Sequence, residues 1–359
     1  MNNSTNPHIQ LTNPFHYEEK IDVILFAHDL IGTVRGKSAN GLMIHNKIFN
    51  VVAIIDQMAI NKKTSEVCLG VDYDVPIYNN IKNALKNHKA KALIILIAPE
   101  PMWYSEIEIG IYSKLDIINT SFLFLNKKTR FNKLSKNYNI DIYDLRDVTK
   151  IMAYPNVDIL KRKSKVIYVT GTDCGLGKRV ATIELAKEAR KRGVNSVVYA
   201  TGQTGLMLGE IGTVVDSLTI EFSNGVVSQH ICQLSNMGYE LIFVEGQSDI
   251  FHPANSAVAI ALLHGANPDN IVIVHDENRK FHKGFDENSE LYGMHSLERY
   301  IKTLELLSLP CGPTYKTVGI ATIGEKNINA IKSFIDLPVA DVRLENGSNI
   351  ILNAILECC

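Results

Sequence analysis

Short runs of apolar, often β-branched residues alternate along this chain with amphipathic stretches, which is the pattern of parallel strands joined by crossover helices. In the first half the runs fall near Asp22–Phe26, Val51–Ile55 and Ala92–Ile97, with a helix through Asn80–Asn87 and a further strand near Ile140–Tyr143. Their near-continuous apolar character predicts a sheet covered on both faces. The second half repeats the pattern at Val166–Thr170, Ser196–Ala200, Leu241–Val244, Ile271–Val274 and Val318–Ala321, with Pro338–Val342 as a sixth strand. Between Lys150 and Ser164 the rhythm breaks around Pro155 and Asn156, where a basic run begins at Lys161. We read that stretch as a linker and expect two α/β domains, 1–155 and 156–359. No internal repeat is visible.

Composition adds limits. At 359 residues, with 46% hydrophobic and 21% charged residues, the chain can bury two cores and leaves little room for disorder. The net charge of −1 supplies no basic field, so nucleic acid is not the expected partner. The six cysteines form neither a C-x-x-C pair nor a disulfide-like framework, which fits a reducing cytoplasm. Met1–Gln10 lacks the layout of a signal peptide, and runs such as Ala92–Ala98 and Ala257–Leu263 fall far short of the ~20 residues of a membrane span. A cytoplasmic protein without a membrane anchor is expected.

The strongest local signal is the strand Val166–Thr170 running into Gly171-Thr-Asp-Cys-Gly-Leu-Gly-Lys178 and then a helix. Gly171, Gly175 and Gly177 allow a tight turn with inward N–H groups, the helix N-terminus adds its positive dipole end, and Lys178 adds a full charge. Val180, Ile183, Ala186 and Ala189 give the helix an inward stripe, and Gly193 stands where a C-terminal cap belongs. We take Gly171, Thr172, Asp173, Cys174, Gly175, Gly177, Lys178 and Arg179 as the cofactor-binding set. The usual loop places Ser or Thr after the lysine to ligate magnesium. Here Arg179 follows instead, which favours a phosphate cofactor that needs no metal.

Further polar groups sit at predicted strand ends, where a doubly wound sheet forms its crevice. Glu245 ends Leu241-Ile-Phe-Val-Glu and suits a metal, a substrate amine or general-base work. His252 is the first choice for proton transfer, because its ordinary pKa is near neutrality. Gln203 and Thr204, in a glycine-flanked turn, and Gln247 are candidate substrate contacts, and Asp216 lies in a stretch that could line the same crevice. His264 and His275 read as structural. In the first half, Arg35 and Lys37 are candidate contacts to an anionic substrate. Asp56 ends the second strand, where a ribose-binding acid would stand, yet no G-x-G-x-x-G turn accompanies it, so NAD is a weak reading.

Gly171–Lys178, Ala200-Thr-Gly-Gln-Thr-Gly205, Val244-Glu-Gly-Gln247, His252-Pro-Ala254 and Leu262-Leu-His-Gly265 together resemble the DgcN-like family of P-loop proteins, named for a D-glutamate N-acetyltransferase. Val52-Ala-Ile-Ile-Asp56 and Ile97-Ala-Pro99 look like that family's N-terminal Rossmann-like domain. A narrower similarity ties the second half to dethiobiotin synthetase. The resemblance implies a Rossmann-like domain followed by a P-loop NTPase-like, doubly wound parallel-sheet domain. It also implies acetyl transfer from acetyl-CoA to an amino-acid amine, such as that of D-glutamate. The chain departs from the family at Ser248, Asp249, Val180, Ala181 and Glu100-Pro-Met-Trp103.

On the acyl-transfer reading, the loop and Lys178 hold coenzyme A phosphates, Glu245 or His252 deprotonates the amine, and Lys178 or loop N–H groups steady the oxyanion. Arg35 and Lys37 then hold the substrate carboxylate. Two alternatives stand beside it: ATP-dependent chemistry with magnesium on Asp173 and Glu245, and a non-catalytic nucleotide-binding module. A homo-oligomer is the expectation for such two-domain enzymes.

Overall fold

The computed structural model describes residue 11 and residues 13–15, 17–33, 36–68, 70–148, 150–285, 292–310 and 312–358. The chain folds as two compact units. One comprises Asn13–Thr149 with Gln203–Glu210, and the other Lys150–Gly202 and Ile211–Cys359.

The first unit is built on six parallel strands, β1 (Ile21–Phe26), β2 (Phe49–Ile55), β3 (Ile77–Tyr78), β4 (Ala92–Ile95), β5 (Asp116–Asn119) and β6 (Ile142–Asp144). Their order, β3-β2-β1-β4-β5-β6, is that of the Rossmann sheet. Ile24, Phe26, Ile55, Leu93, Ile95 and Ile117 are wholly buried. Removing such side chains from water contributes roughly 1.5–3 kcal/mol each. The helix Ile81–Asn87 starts where Asn80 accepts a hydrogen bond from the Asn83 amide at 2.8 Å.

The second unit has seven parallel strands, β7 (Lys165–Gly171), β8 (Ser196–Ala200), β9 (Ile211–Gly212), β10 (Leu241–Glu245), β11 (Asn270–Val274), β12 (Lys316–Ala321) and β13 (Val339–Ala340). The order β13-β12-β11-β7-β10-β8-β9 places β7 between β10 and β11. The chain leaves β7 toward one side of the sheet and returns at β11 on the other. The C-terminal ends of β7, β10 and β11 therefore flank a topological switch point, where α/β sheets bind ligands. The helix Lys178–Lys191 ends at Arg192, and Gly193 takes φ +82°, the left-handed conformation that terminates the helix.

Two features differ from the sequence reading. Strands β3, β5 and β9 are too short, or too polar at their ends, to carry a period-2 signal. The stretch read as a linker is docked on its own unit: Asn156 N–H donates to Ser228 Oγ at 3.0 Å, and a Cβ on Gly225 would meet Ala153 O at 1.9 Å. Gly225 is the clearing that lets this segment lie against the helix Ile220–Asn236. Among the described residues, no helix is long and apolar enough to cross a membrane.

Candidate functional site

Strand β7 delivers the glycine loop to the switch point, and several close contacts hold it there. Thr172 N–H donates to Val274 O at 3.1 Å, while Thr172 Oγ1 pairs with His275 Nδ1 at 2.9 Å and His275 Nε2 with Glu277 at 3.0 Å. The buried Tyr300 hydroxyl donates to Gly171 O at 2.7 Å. A Cβ at position 171 would lie 2.9 Å from Val274 O and 3.1 Å from Lys178 Cγ, so only glycine fits. Gly175 and Gly177 adopt φ +76° and +101°.

Lys178 is buried, and its ammonium lies across the loop, donating to Asp173 O at 2.7 Å. Among the described residues, no protein acceptor takes the amides of Gly175, Leu176 or Gly177; the first bond of the turn runs from Ala181 N–H to Gly177 O at 2.9 Å. These free donors at the N-terminus of a 14-residue helix are an arrangement suited to an anion. Lys283 leans over it, since a Cβ on Gly175 would come within 3.1 Å of its Nζ.

Carboxylates and imidazoles crowd the other side of the loop. Asp173 is wholly buried; its Oδ2 accepts from Arg279 Nη1 at 2.9 Å and from Lys283 N–H at 2.8 Å. Its Oδ1 lies 3.5 Å from His282 Nδ1 and 4.0 Å from His252 Nε2. Asp249, also wholly buried, accepts from Phe251 N–H at 2.7 Å through Oδ1 and faces His282 Nδ1 at 3.4 Å through Oδ2. Burial, reinforced by Asp173, pushes the Asp249 carboxyl up to about 7. Burial lowers His282, against the pull of Asp173. Perturbed groups gathered beside such a loop mark a candidate functional site.

Glu245, at the end of β10, accepts from Arg179 Nε at 2.9 Å through Oε1; its buried Oε2 has no partner among the described residues. His252 Nδ1 accepts from Ala254 N–H at 3.2 Å, so its neutral ring carries the proton on Nε2 and directs it to Lys283 O at 3.3 Å. Gln247 donates to Thr201 O and approaches Thr201 Oγ1 at 3.3 Å.

Both halves of the chain match known domains. Residues 155–351 match the domain of unknown function DUF1611_C, described as a P-loop domain, and residues 59–148 match DUF1611_N, described as a Rossmann-like domain. This chain belongs to the DUF1611 family. A crystal structure of a DUF1611 family protein from Anabaena variabilis shares the fold, with a TM-score of 0.84 at 24% identity, covering 94% of this chain and 100% of that one. Two curated relatives carry the name D-glutamate N-acetyltransferase. The one from Tritonibacter scottomollicae is 30% identical over 52% of this chain and 57% of its own length. The one from Pseudoalteromonas is 29% identical over 55% and 58%. The chain thus spans less than two thirds of the curated relatives it matches.

The DUF1611 fold gathers Gly171–Arg179, Glu245, His252 and Gln247 in the second unit. Gln203, Thr204 and Lys37 belong to the first unit, where Thr204 Oγ1 pairs with Ser38 Oγ at 2.8 Å and Lys37 opens the helix Lys37–His45. Arg35 lies outside the described residues. Asp56 is occupied within its own loop, accepting from the amides of Ile31, Met58 and Ala59 at 2.9–3.1 Å. His264 pairs with Leu307 O at 3.1 Å. Asp173 and Glu245, the pair considered for magnesium, share no ligand cluster among the described residues: Asp173 groups with Asp249 and His282, or with Cys174 and His252.

Sequence reasoning passed over Arg279, His282 and Lys283 as site residues and noted Asp249 only as a departure. The available signal was the density of ionisable residues from His275 to Lys283, immediately after the apolar strand β11.

Proposed function

We propose that this protein is an N-acyltransferase that moves an acetyl group from acetyl-CoA to the amine of an amino acid, with D-glutamate as the first acceptor to test. The observation that carries the reading is the anion cradle. Free amides at Gly175–Gly177, the buried Lys178 and the ammonium of Lys283 surround one loop, a donor set suited to the phosphates of coenzyme A. The names of the curated relatives support the reaction type and the acceptor.

Glu245 Oε2 is the group suited to receive the substrate ammonium, because it is a buried carboxylate oxygen that no donor in the described chain satisfies. Taking one ammonium proton frees the lone pair to attack the thioester carbonyl. The C–N bond forms, the C–S bond breaks, and coenzyme A leaves as the thiol after taking up a proton. His252 would serve as base only after its Nδ1, which carries the lone pair in that tautomer, gives up the N–H of Ala254. Magnesium on Asp173 and Glu245, as the ATP alternative requires, would compete with Arg179 for Glu245.

Thermal shift and thiol release test this together. Acetyl-CoA at ~100 times its dissociation constant should add about 2.7 kcal/mol of stability, chelator leaving the shift intact and Lys178→Ala abolishing it. Thiol should be released when D-glutamate is added. Stabilisation by ATP with magnesium alone, or by neither ligand, would overturn the reading.

A further inference from the structure

We propose that Asp173, Asp249 and His282 form a binding site for one divalent transition metal, zinc in preference to magnesium, beside the glycine loop.

Three polar atoms meet in one small volume. Asp173 Oδ1, Asp249 Oδ2 and His282 Nδ1 all lie within 4.8 Å of one another. Each belongs to a side chain at least nine-tenths buried, and each lacks a hydrogen-bond partner among the described residues. Orphaned buried polar atoms are rare because each costs about 1–3 kcal/mol, and three aimed at one point call for a common ligand.

The other oxygen of each carboxylate is already committed. Asp173 Oδ2 is fixed by Arg279 and by the Lys283 amide, and Asp249 Oδ1 by the Phe251 amide. That division, with the outer oxygen held by the protein and the inner one left open, is how outer-shell donors orient carboxylate ligands. The two carboxylates would repel each other across a dry site, and a cation between them removes that repulsion.

Spacing indicates which cation. Ligands at about 2.0–2.1 Å from a tetrahedral zinc are separated by about 3.3–3.4 Å. His282 Nδ1 stands 3.5 Å from Asp173 Oδ1 and 3.4 Å from Asp249 Oδ2. Neighbouring ligands of an octahedral magnesium lie about 3.0 Å apart, and magnesium prefers oxygen donors to imidazole. Three protein ligands leave a fourth position for water or substrate, the composition of catalytic rather than structural zinc sites. The neighbouring group Asp173, Cys174 and His252 is a poorer site, because both ring nitrogens of His252 are engaged by Ala254 and Lys283.

The test uses the tag-free, chelator-stripped full chain. Titration with zinc, with metal content measured after gel filtration, should give one zinc per chain that millimolar magnesium does not displace. Asp249→Asn and His282→Gln should each weaken zinc binding by more than about 100-fold, the upper end of what losing an outer-shell partner costs, while Cys174→Ser should retain it. Cobalt loaded into the wild-type chain supplies a readout that survives misfolding of a variant: intense visible bands of a tetrahedral ion are expected. Failure of the wild type to bind zinc stoichiometrically would overturn the proposal. So would folded variants binding as tightly as wild type, loss of zinc with Cys174→Ser alone, or a weak octahedral cobalt spectrum.

Discussion

Replacing Arg179 by methionine tests the reasoning about the glycine loop most directly. Arg179 Nε donates to Glu245 Oε1 at 2.9 Å, and Glu245 retains only 5% side-chain exposure. Methionine keeps most of the aliphatic stem but leaves a buried carboxylate whose other oxygen already lacks a partner. Breaking one side of a buried pair costs roughly 3–5 kcal/mol, and because Arg179 is 22% exposed we expect the low end, about 3 kcal/mol. Glu245→Gln alone should cost about 1 kcal/mol, since the arginine left behind can reach water. The double variant should return to within about 1 kcal/mol of wild type, a coupling of at least about 3 kcal/mol. Trp103, the one tryptophan of the chain, lies in the first unit. The local readout within the second unit is hydrogen exchange at the amides of the helix Lys178–Lys191. A loss of about 3 kcal/mol would accelerate their exchange by about 100- to 200-fold. If Arg179→Met exchanges within about twofold of wild type, or if the double variant is no better than the single, the pair is not the buried anchor described above.

Three other perturbations have defined outcomes. Gly246→Ala would drive a Cβ to 2.5 Å from Val169 O, between β10 and β7, and should cost about 1–3 kcal/mol in urea unfolding of the second unit; an unchanged midpoint would mean that the strands can part freely. Tyr300→Phe removes the hydroxyl that donates to Gly171 O at 2.7 Å and should destabilise by about 1–2 kcal/mol, with faster exchange in the loop as the local sign. Asp341 is held below the usual carboxylate range, chiefly by the Arg343 guanidinium. Its contribution is complete above the unfolded carboxylate value and is lost as pH falls through the lower folded value. Asp341→Asn should therefore cost about 1 kcal/mol at pH 7, the half-exposed arginine limiting the gain, and the gap from wild type should close below about pH 4. A gap that widens on acidification would contradict that assignment.

The residues legible in advance share one property: their signal is local. Strands β1, β2, β7, β8 and β11 are continuous apolar runs because each is covered on both faces, and that demand is written in consecutive residues. The loop from Gly171 to Lys178 is equally local, since its turns require glycine at set positions whatever surrounds them. Strand β5, by contrast, opens on Asp116 and closes on Asn119, both buried and both hydrogen-bonded, so its place in the sheet is hidden from a hydropathy pattern. The Asp56 carboxylate was readable as a strand-end acid but not as the acceptor of three amides in its own loop.

By itself, then, the sequence determined two parallel α/β units and a glycine-rich P-loop turn, because backbone geometry and burial on both faces act over a few neighbouring residues. Only the tertiary structure decided what that turn faces. Arg279 stands 106 positions from Asp173, and Arg179 stands 66 from Glu245. They meet because the strand order sets β7 between β10 and β11, so that loops distant in the chain close over the same sheet edge. That closure turns a glycine loop with a lysine into a site of paired charges and orphaned ligand atoms.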